Sequence, residues 1–166
     1  MARRYIITVI VCNIGLLLTA CDRSHPSDER LLHVFHAELE SFSKLHIMMT
    51  NDTGLHAVGK DWVDPDSLGL SPSRIAEYRQ LLGSVGCGSM GLRIYRYRPG
   101  YFLIASSRGL SVGGGSLKGY CFLPTPPPSS CIVSNLSVAF DPSRRDTYKI
   151  YRHITDSWYL FFEFDG

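Results

Sequence analysis

The sequence predicts an α+β fold: two N-terminal helices packed on an antiparallel sheet of about five strands. Two observations predict it. Apolar residues in the first half recur at the spacing of one helix face, whereas from residue 92 onward they recur at every second position, as strands do. Clusters of Pro, Gly, Ser and Asp then punctuate the second half at hairpin intervals. Helices grouped before strands, rather than alternating with them, argue for a segregated arrangement and not a parallel sheet.

Taking the elements in order, Ser27 has the character of an N-cap, with Pro26 before it and Asp28 and Glu29 in the first turn. Leu31, Leu32, Phe35, Leu39, Phe42, Leu45 and Met49 then mark one face of a helix over 28–48. Residues 51–70, with Pro65 and several glycines, read as an irregular connection. A second helix opens at Ser71 with Pro72 in the first helical position. Ile75, Tyr78 and Leu82 form its buried side, and Gly83 its stop.

The strands follow. LRIYRYR (92–98) and YFLIASS (101–107) flank a Pro99–Gly100 turn. LKGYCFL (117–123) is a third strand, ended by the rigid TPPPSS loop. CIVSNLSVAF (131–140) fits helix or strand equally. YKIYRHI (148–154) and WYLFFEF (158–164) make a closing hairpin across Thr155–Ser157. Alternation places Arg93, Tyr95 and Tyr97 on one side of the first hairpin with Phe102, Ile104 and Ser106, and Tyr101, Leu103 and Ala105 on the other. Neither side is cleanly polar, so the core-facing side is not fixed by pattern. Arg and Tyr are enriched at protein interfaces, which makes Arg93, Tyr95 and Tyr97 the candidate interface; a half-buried sheet face has the same composition.

The N-terminus carries a different signal. Arg3 and Arg4 precede an apolar run from Tyr5 to Leu18, 14 residues long. That is about 21 Å of helix, short of the roughly 20 apolar residues a bilayer core needs. A positive start, a short apolar stretch and a small-residue exit describe a secretory signal. The exit reads Leu18, Thr19, Ala20, Cys21. It resembles the lipobox of bacterial lipoprotein precursors, over residues 1–21 only. The resemblance implies cleavage before Cys21 and palmitate-type acyl chains on that residue. Two or more such chains hold a protein stably on a membrane, where one holds it marginally. In enteric-type sorting, Asp22 after such a Cys resembles an inner-membrane retention signal. The chain is then divided into residues 1–20 (leader), 21–26 (lipidated Cys and short tether) and 27–166 (one globular domain), in the bacterial cell envelope facing the periplasm.

Composition narrows the function. Two of the 17 basic residues, Arg3 and Arg4, precede Cys21 and no acidic one does, which leaves 15 of each sign. A neutral domain gives no electrostatic case for nucleic acid. Cys87, Cys121 and Cys131 remain beyond Cys21, an odd number for an oxidising compartment. Cys121–Cys131 is the candidate disulfide, with two other pairings open.

Candidate chemistry is sparse. GCGSMG (86–91) has the letters of a dinucleotide fingerprint, but follows a helix and precedes a strand, the reverse of what phosphate binding needs. His33, His36 and Glu40, with Glu29 a turn earlier, share a helix face; a solvated polar face is the commoner meaning, and neither metal nor cofactor is expected. Glu38 and His46 fall at about −20° and about +60° from Leu31, inside the apolar arc, so the Glu38 carboxylate is expected either to pair with a sheet arginine, Arg93 or Arg96, or to sit at the rim of the core. The function expected is non-catalytic: a membrane-proximal protein-binding factor of accessory or immunity type. The alternatives are a small hydrolase using Glu38 with a nearby His, and a binder of lipid or cell-wall fragments.

Overall fold

The computed structural model describes residues 25–87, 94–97, 100–111, 114–139 and 146–165. The fold is α+β, with helices and antiparallel sheets. Helix α1 (Asp28–Ala37) starts where its cap dictates: the Ser27 hydroxyl accepts from the Arg30 amide at 3.2 Å.

The single helix expected over 28–48 is two. Glu38, at φ −115° and ψ 30°, breaks it, and α2 (Leu39–Asn51) follows. Backbone bonds carry across the break, Glu38 to Val34 and Phe42 to Glu38, so the chain changes direction without stranding polar groups. The break turns Leu39, expected in the apolar stripe, outward to 51% exposure. It also lets Phe35 and Phe42 stack together (4.7 Å between centroids) over Tyr120 and Trp158.

The connection expected to be irregular contains a small hairpin, β1 (Ala57–Val58) with β2 (Val63–Asp64). Helix α3 (Pro72–Leu82) begins at the Ser71 cap as expected. Its α-helical run stops at Leu82 with Gly83 as the cap, as expected, but the left-handed turn comes later. Gly83 is still right-handed helical, and the chain reverses at Gly86, whose φ of +75° is the left-handed conformation that glycine takes without steric cost.

The main sheet has the order β3 (Ile94–Tyr97), β4 (Gly100–Ser111), β5 (Gly114–Phe122), β7 (Trp158–Asp165), β6 (Tyr148–Thr155), all antiparallel. In the first hairpin Gly100 pairs with Tyr97, so it belongs to the strand and not to the turn. A side chain there would strike the Phe122 carbonyl at 2.0 Å. The slip moves the β3–β4 pairs by two positions and leaves Tyr101 to Ala105 on their expected faces, but a bulge between Ile104 and Ser106 sets Ser106 opposite Lys118 and turns it to the face of Leu103 and Ala105, against the alternation. Strand β5 opens on two glycines, Gly114 and Gly115, with Gly114 paired to Ser111. The segment that fitted helix or strand is mostly neither: a 3-10 turn (Ser129–Cys131), a parallel bridge from Ile132 to Tyr151, and the short helix α4 (Leu136–Ala139).

Both faces of the sheet are buried, which is why neither looked polar. One packs Leu103, Tyr120, Leu160 and Phe162 against Leu31, Phe35, Phe42, Leu45 and Leu82 of the helices. The other gathers Phe102, Ile104, Cys121, Leu123, Tyr159 and Phe161. Among the described residues, no helix is long and apolar enough to cross a membrane.

Candidate functional site

The most polar part of the interior lies where the chain enters the domain. On the helix-bearing face of β5, the alternate residues Ser116, Lys118 and Tyr120 each take hold of the N-terminal segment. Ser116 Oγ lies 2.7 Å from His25 Nε2. Lys118 Nζ lies 2.6 Å from Asp28 Oδ1. The Tyr120 hydroxyl donates to the Leu31 carbonyl at 3.0 Å. Residues 25 to 31 therefore run along β5 in its own direction, and the two-residue period of the strand meets the opening turns of α1.

Asp28 is the centre of this seat. Its side chain is 0% exposed and that of Lys118 2%. The other carboxylate oxygen accepts from the Leu136 amide at 2.8 Å and from Arg152 Nη1 at 3.1 Å. One carboxylate thus ties α1 to β5, β6 and α4. Burial opposes its charge, but Lys118, the Leu136 amide and Arg152 outweigh that and hold its carboxyl below the ordinary value. Its place in the first turn of α1 adds the favourable end of the helix dipole. Lys118 also donates to Ser137 Oγ at 3.2 Å, and Glu29, more exposed, lies 3.5 Å from Arg152.

His25 is held on both ring nitrogens, Nδ1 by the Ser106 hydroxyl and Nε2 by that of Ser116. Its ring edge rests on Phe162, 5.4 Å between centroids. Burial, then the neighbouring charges of Lys118 and Arg108, lower its pKa to about 4. The ring is therefore neutral near pH 7, donating through one nitrogen and accepting through the other. A hydroxyl on a neutral imidazole is half of a nucleophile–base pair. The orienting carboxylate such a pair uses is absent from this seat's second nitrogen, which a second hydroxyl occupies. Asp28 is committed to its own three donors, and Ser106 is buried. With a hydroxyl on each ring nitrogen, the cluster holds the His25 ring between β4 and β5.

The residues singled out in the sequence are placed as follows. Cys21, Asp22 and Arg93 lie outside the described residues. Position 95 pairs with Phe102 and position 97 with Gly100, so Tyr95 and Tyr97 belong to edge strand β3. Cys121 and Cys131 are free thiols, as is Cys87, so the candidate disulfide is not formed. Cys121 sits in the middle strand, while Cys131 adjoins the bridge on the outer side of β6. Three strand spacings, about 14 Å, separate those positions, beyond the reach of an S–S bond.

Glu38 is not a core acid. At the helix break it is half-buried, and accepts from Ser41 Oγ at 2.9 Å. His46 is engaged elsewhere: Nδ1 lies 2.8 Å from the Tyr101 hydroxyl, the ring packs on Phe122, and burial lowers its pKa. The break also separates Glu40 from the helix that carries His33 and His36, and all three are exposed. Among the described residues, no group of three or more His, Cys, Asp or Glu side chains is placed to hold a metal ion.

Sequence reasoning missed His25, Asp28, Lys118 and Arg152. One signal was available. Lys118 alternates with Tyr120 and Phe122 in an apolar strand, so it had to face the core and needed an acid.

Compared with known protein families, with curated proteins and with solved structures, the chain matches none of them.

Proposed function

We propose that this is a lipid-anchored protein of the bacterial envelope, held through Cys21, whose role is to bind a protein partner close to the membrane as an accessory or immunity-type factor. The observation that carries the reading is the seat of the N-terminal segment. Only Asp22, Arg23 and Ser24 separate Cys21 from His25, and from His25 onward the chain is bonded to the middle of the sheet. A domain built this way has almost no stalk, and acts on what lies beside the bilayer. The balance of 15 basic and 15 acidic residues beyond the leader supports a partner other than nucleic acid. Arg93, Tyr95 and Tyr97 on and beside edge strand β3 are the proposed contact residues, and Asp22 the proposed inner-membrane retention signal.

Crosslinking and affinity capture from intact cells, comparing the native protein with Cys21→Ser, tests this. One dominant envelope partner, lost when the anchor is removed, supports it. Equal recovery of that partner in both forms, or recovery of none, overturns it.

A further inference from the structure

We propose that residues 124–132, the strap that runs from the end of β5 to the outer edge of β6, form a docking ridge for an uncharged, aromatic-lined groove on a partner protein. The inference rests on the protein-binding part of the function proposed above, and adds a second surface at the edge of the sheet opposite β3.

Sequence and covalent geometry set the shape of the ridge. A proline fixes its own φ at about −65°, and a residue that precedes a proline is held in the extended region. Pro126 and Pro127 meet both conditions, so polyproline II is the conformation left to them. Pro128 continues it, at φ −51° and ψ 137°. One turn of that helix, about 9 Å long, is therefore formed before any partner arrives.

The fold pins this turn at both ends. Buried Leu123 donates its amide to the Ser157 carbonyl at 2.8 Å. After the prolines comes the 3-10 turn Ser129–Cys131, with the Cys131 amide on the Pro128 carbonyl at 2.9 Å. Val133 then donates to Tyr151 of β6 at 2.8 Å. Pro127 is half-buried, whereas Pro124, Thr125, Pro126 and Pro128 are exposed. One edge of the turn thus rests on the domain and the others face outward.

Two features say what would cover it. Among the described residues, nothing donates a hydrogen bond to the carbonyls of 124–127, so they are open to donors from outside. Charge is also missing. Between Lys118 and Asp141 lie 22 residues without an Asp, Glu, Lys, Arg or His, in a chain that is 19% charged. Yet this stretch is exposed along the strap, at Ile132 (38%), and at Val138 (83%) in α4, which lies beside β6. Exposed surface depleted of charge has the composition of an interface core. A groove of Tyr and Trp meets both features: its rings pack on the prolines, and its hydroxyl and indole N–H groups reach the carbonyls. A bilayer meets only the second, because in hydrocarbon the open carbonyls find no donor.

The test places p-benzoylphenylalanine in the full-length protein, in intact cells, at exposed positions 125 and 132 of the strap, at position 97 of β3, and at exposed position 61 as a control. Mass spectrometry identifies the adducts and the crosslinked peptides. One protein joined from 125 and 132 but not from 61, through a peptide containing Tyr or Trp, is expected. That protein, purified, is then titrated with the native chain and with Pro126→Ala/Pro128→Ala. Loss of ring contacts and of pre-organisation should weaken binding about tenfold or more. Native affinity should change less than about twofold between low and high salt, since no charge is paired. Thr125→Lys, which keeps every proline, should weaken binding similarly and serves if the double variant melts early. Unchanged affinity in a variant with native melting, or lipid adducts from 125 and 132 in place of protein, overturns the ridge. A partner joined from 97 alone overturns the ridge and leaves the protein-binding reading standing. No protein adduct from any position overturns both.

Discussion

Asp28→Asn takes one charge out of the interior and leaves another behind. In the native protein the Asp28–Lys118 pair is 2.6 Å apart, with both side chains almost wholly buried. At an effective dielectric of about 20, the gross attraction at that distance is about 6 kcal/mol, most of it offset by the desolvation of the two ions. Removing one partner of such a pair costs about 3–5 kcal/mol, because the remaining ammonium keeps its desolvation penalty and loses its compensation. Against a typical total of about 5–15 kcal/mol, that is a large fraction of the stability. The assay is a double-mutant cycle read by urea unfolding at neutral pH: native, Asp28→Asn, Lys118→Met and both together. The double variant should recover more than about 1 kcal/mol relative to the sum of the singles, since it no longer buries a lone charge. Additive singles, or an Asp28→Asn cost below about 1 kcal/mol, would refute the buried pair as the structure places it.

Four further outcomes are expected. Tyr120→Phe removes the hydroxyl that donates to the Leu31 carbonyl and should cost about 1 kcal/mol in the same unfolding assay. The folded pKa of His25, about 4, lies below its ordinary 6.5. Its contribution is therefore complete above pH 6.5 and is lost as pH falls through 4. After allowance for the ring's partial exposure, this is on the order of 1–2 kcal/mol. Melting curves of native protein and His25→Asn between those pH values should converge, and a constant gap would exclude the neutral-ring seat. Burial raises the thiol pKa of both Cys87 and Cys121, so among the three cysteines within the described residues, native-state alkylation followed by peptide mapping should find Cys131 modified first. Gly119→Ala would place a methyl group 2.0 Å from the Leu103 carbonyl, and thermal melting should show a loss of about 1–3 kcal/mol, as overpacking typically gives.

Local signals wrote the starts of α1 and α3 into the sequence, because a cap is decided by a few neighbouring residues: Ser27 over Arg30, Ser71 over Arg74. The closing hairpin was equally legible, with β6 and β7 falling within a residue or so of their expected ends, since its turn and its alternation are both local. The faces of Tyr101 to Ala105 survived even though Gly100 moved into the strand, because side-chain alternation is insensitive to a two-position slip; Ser106 changed face at a bulge that no pattern announces.

What the sequence left open depended on partners distant in the chain. The break at Glu38 accompanies the packing of Phe35 and Phe42 on Tyr120 and Trp158, residues that no window of helical sequence contains. Pairing Glu38 with a sheet arginine required an unbroken helix; at the break it is half-buried and bonded to Ser41 instead. Cys121 and Cys131 are close in sequence and strands apart in space, because β6 and β7 add to the sheet outside β5. His25 and Asp28 are bonded to residues 81 to 124 positions away. Their roles are defined by Ser106, Ser116, Lys118, Leu136 and Arg152, which only the folded sheet brings to one place. By itself the sequence determined the fold class, the caps of α1 and α3 and the alternation of the closing hairpin. The tertiary structure alone decided that the chain from His25 onward is clasped rather than free, since a buried charge finds its partner through the packing of the whole sheet and not through its neighbours in the chain.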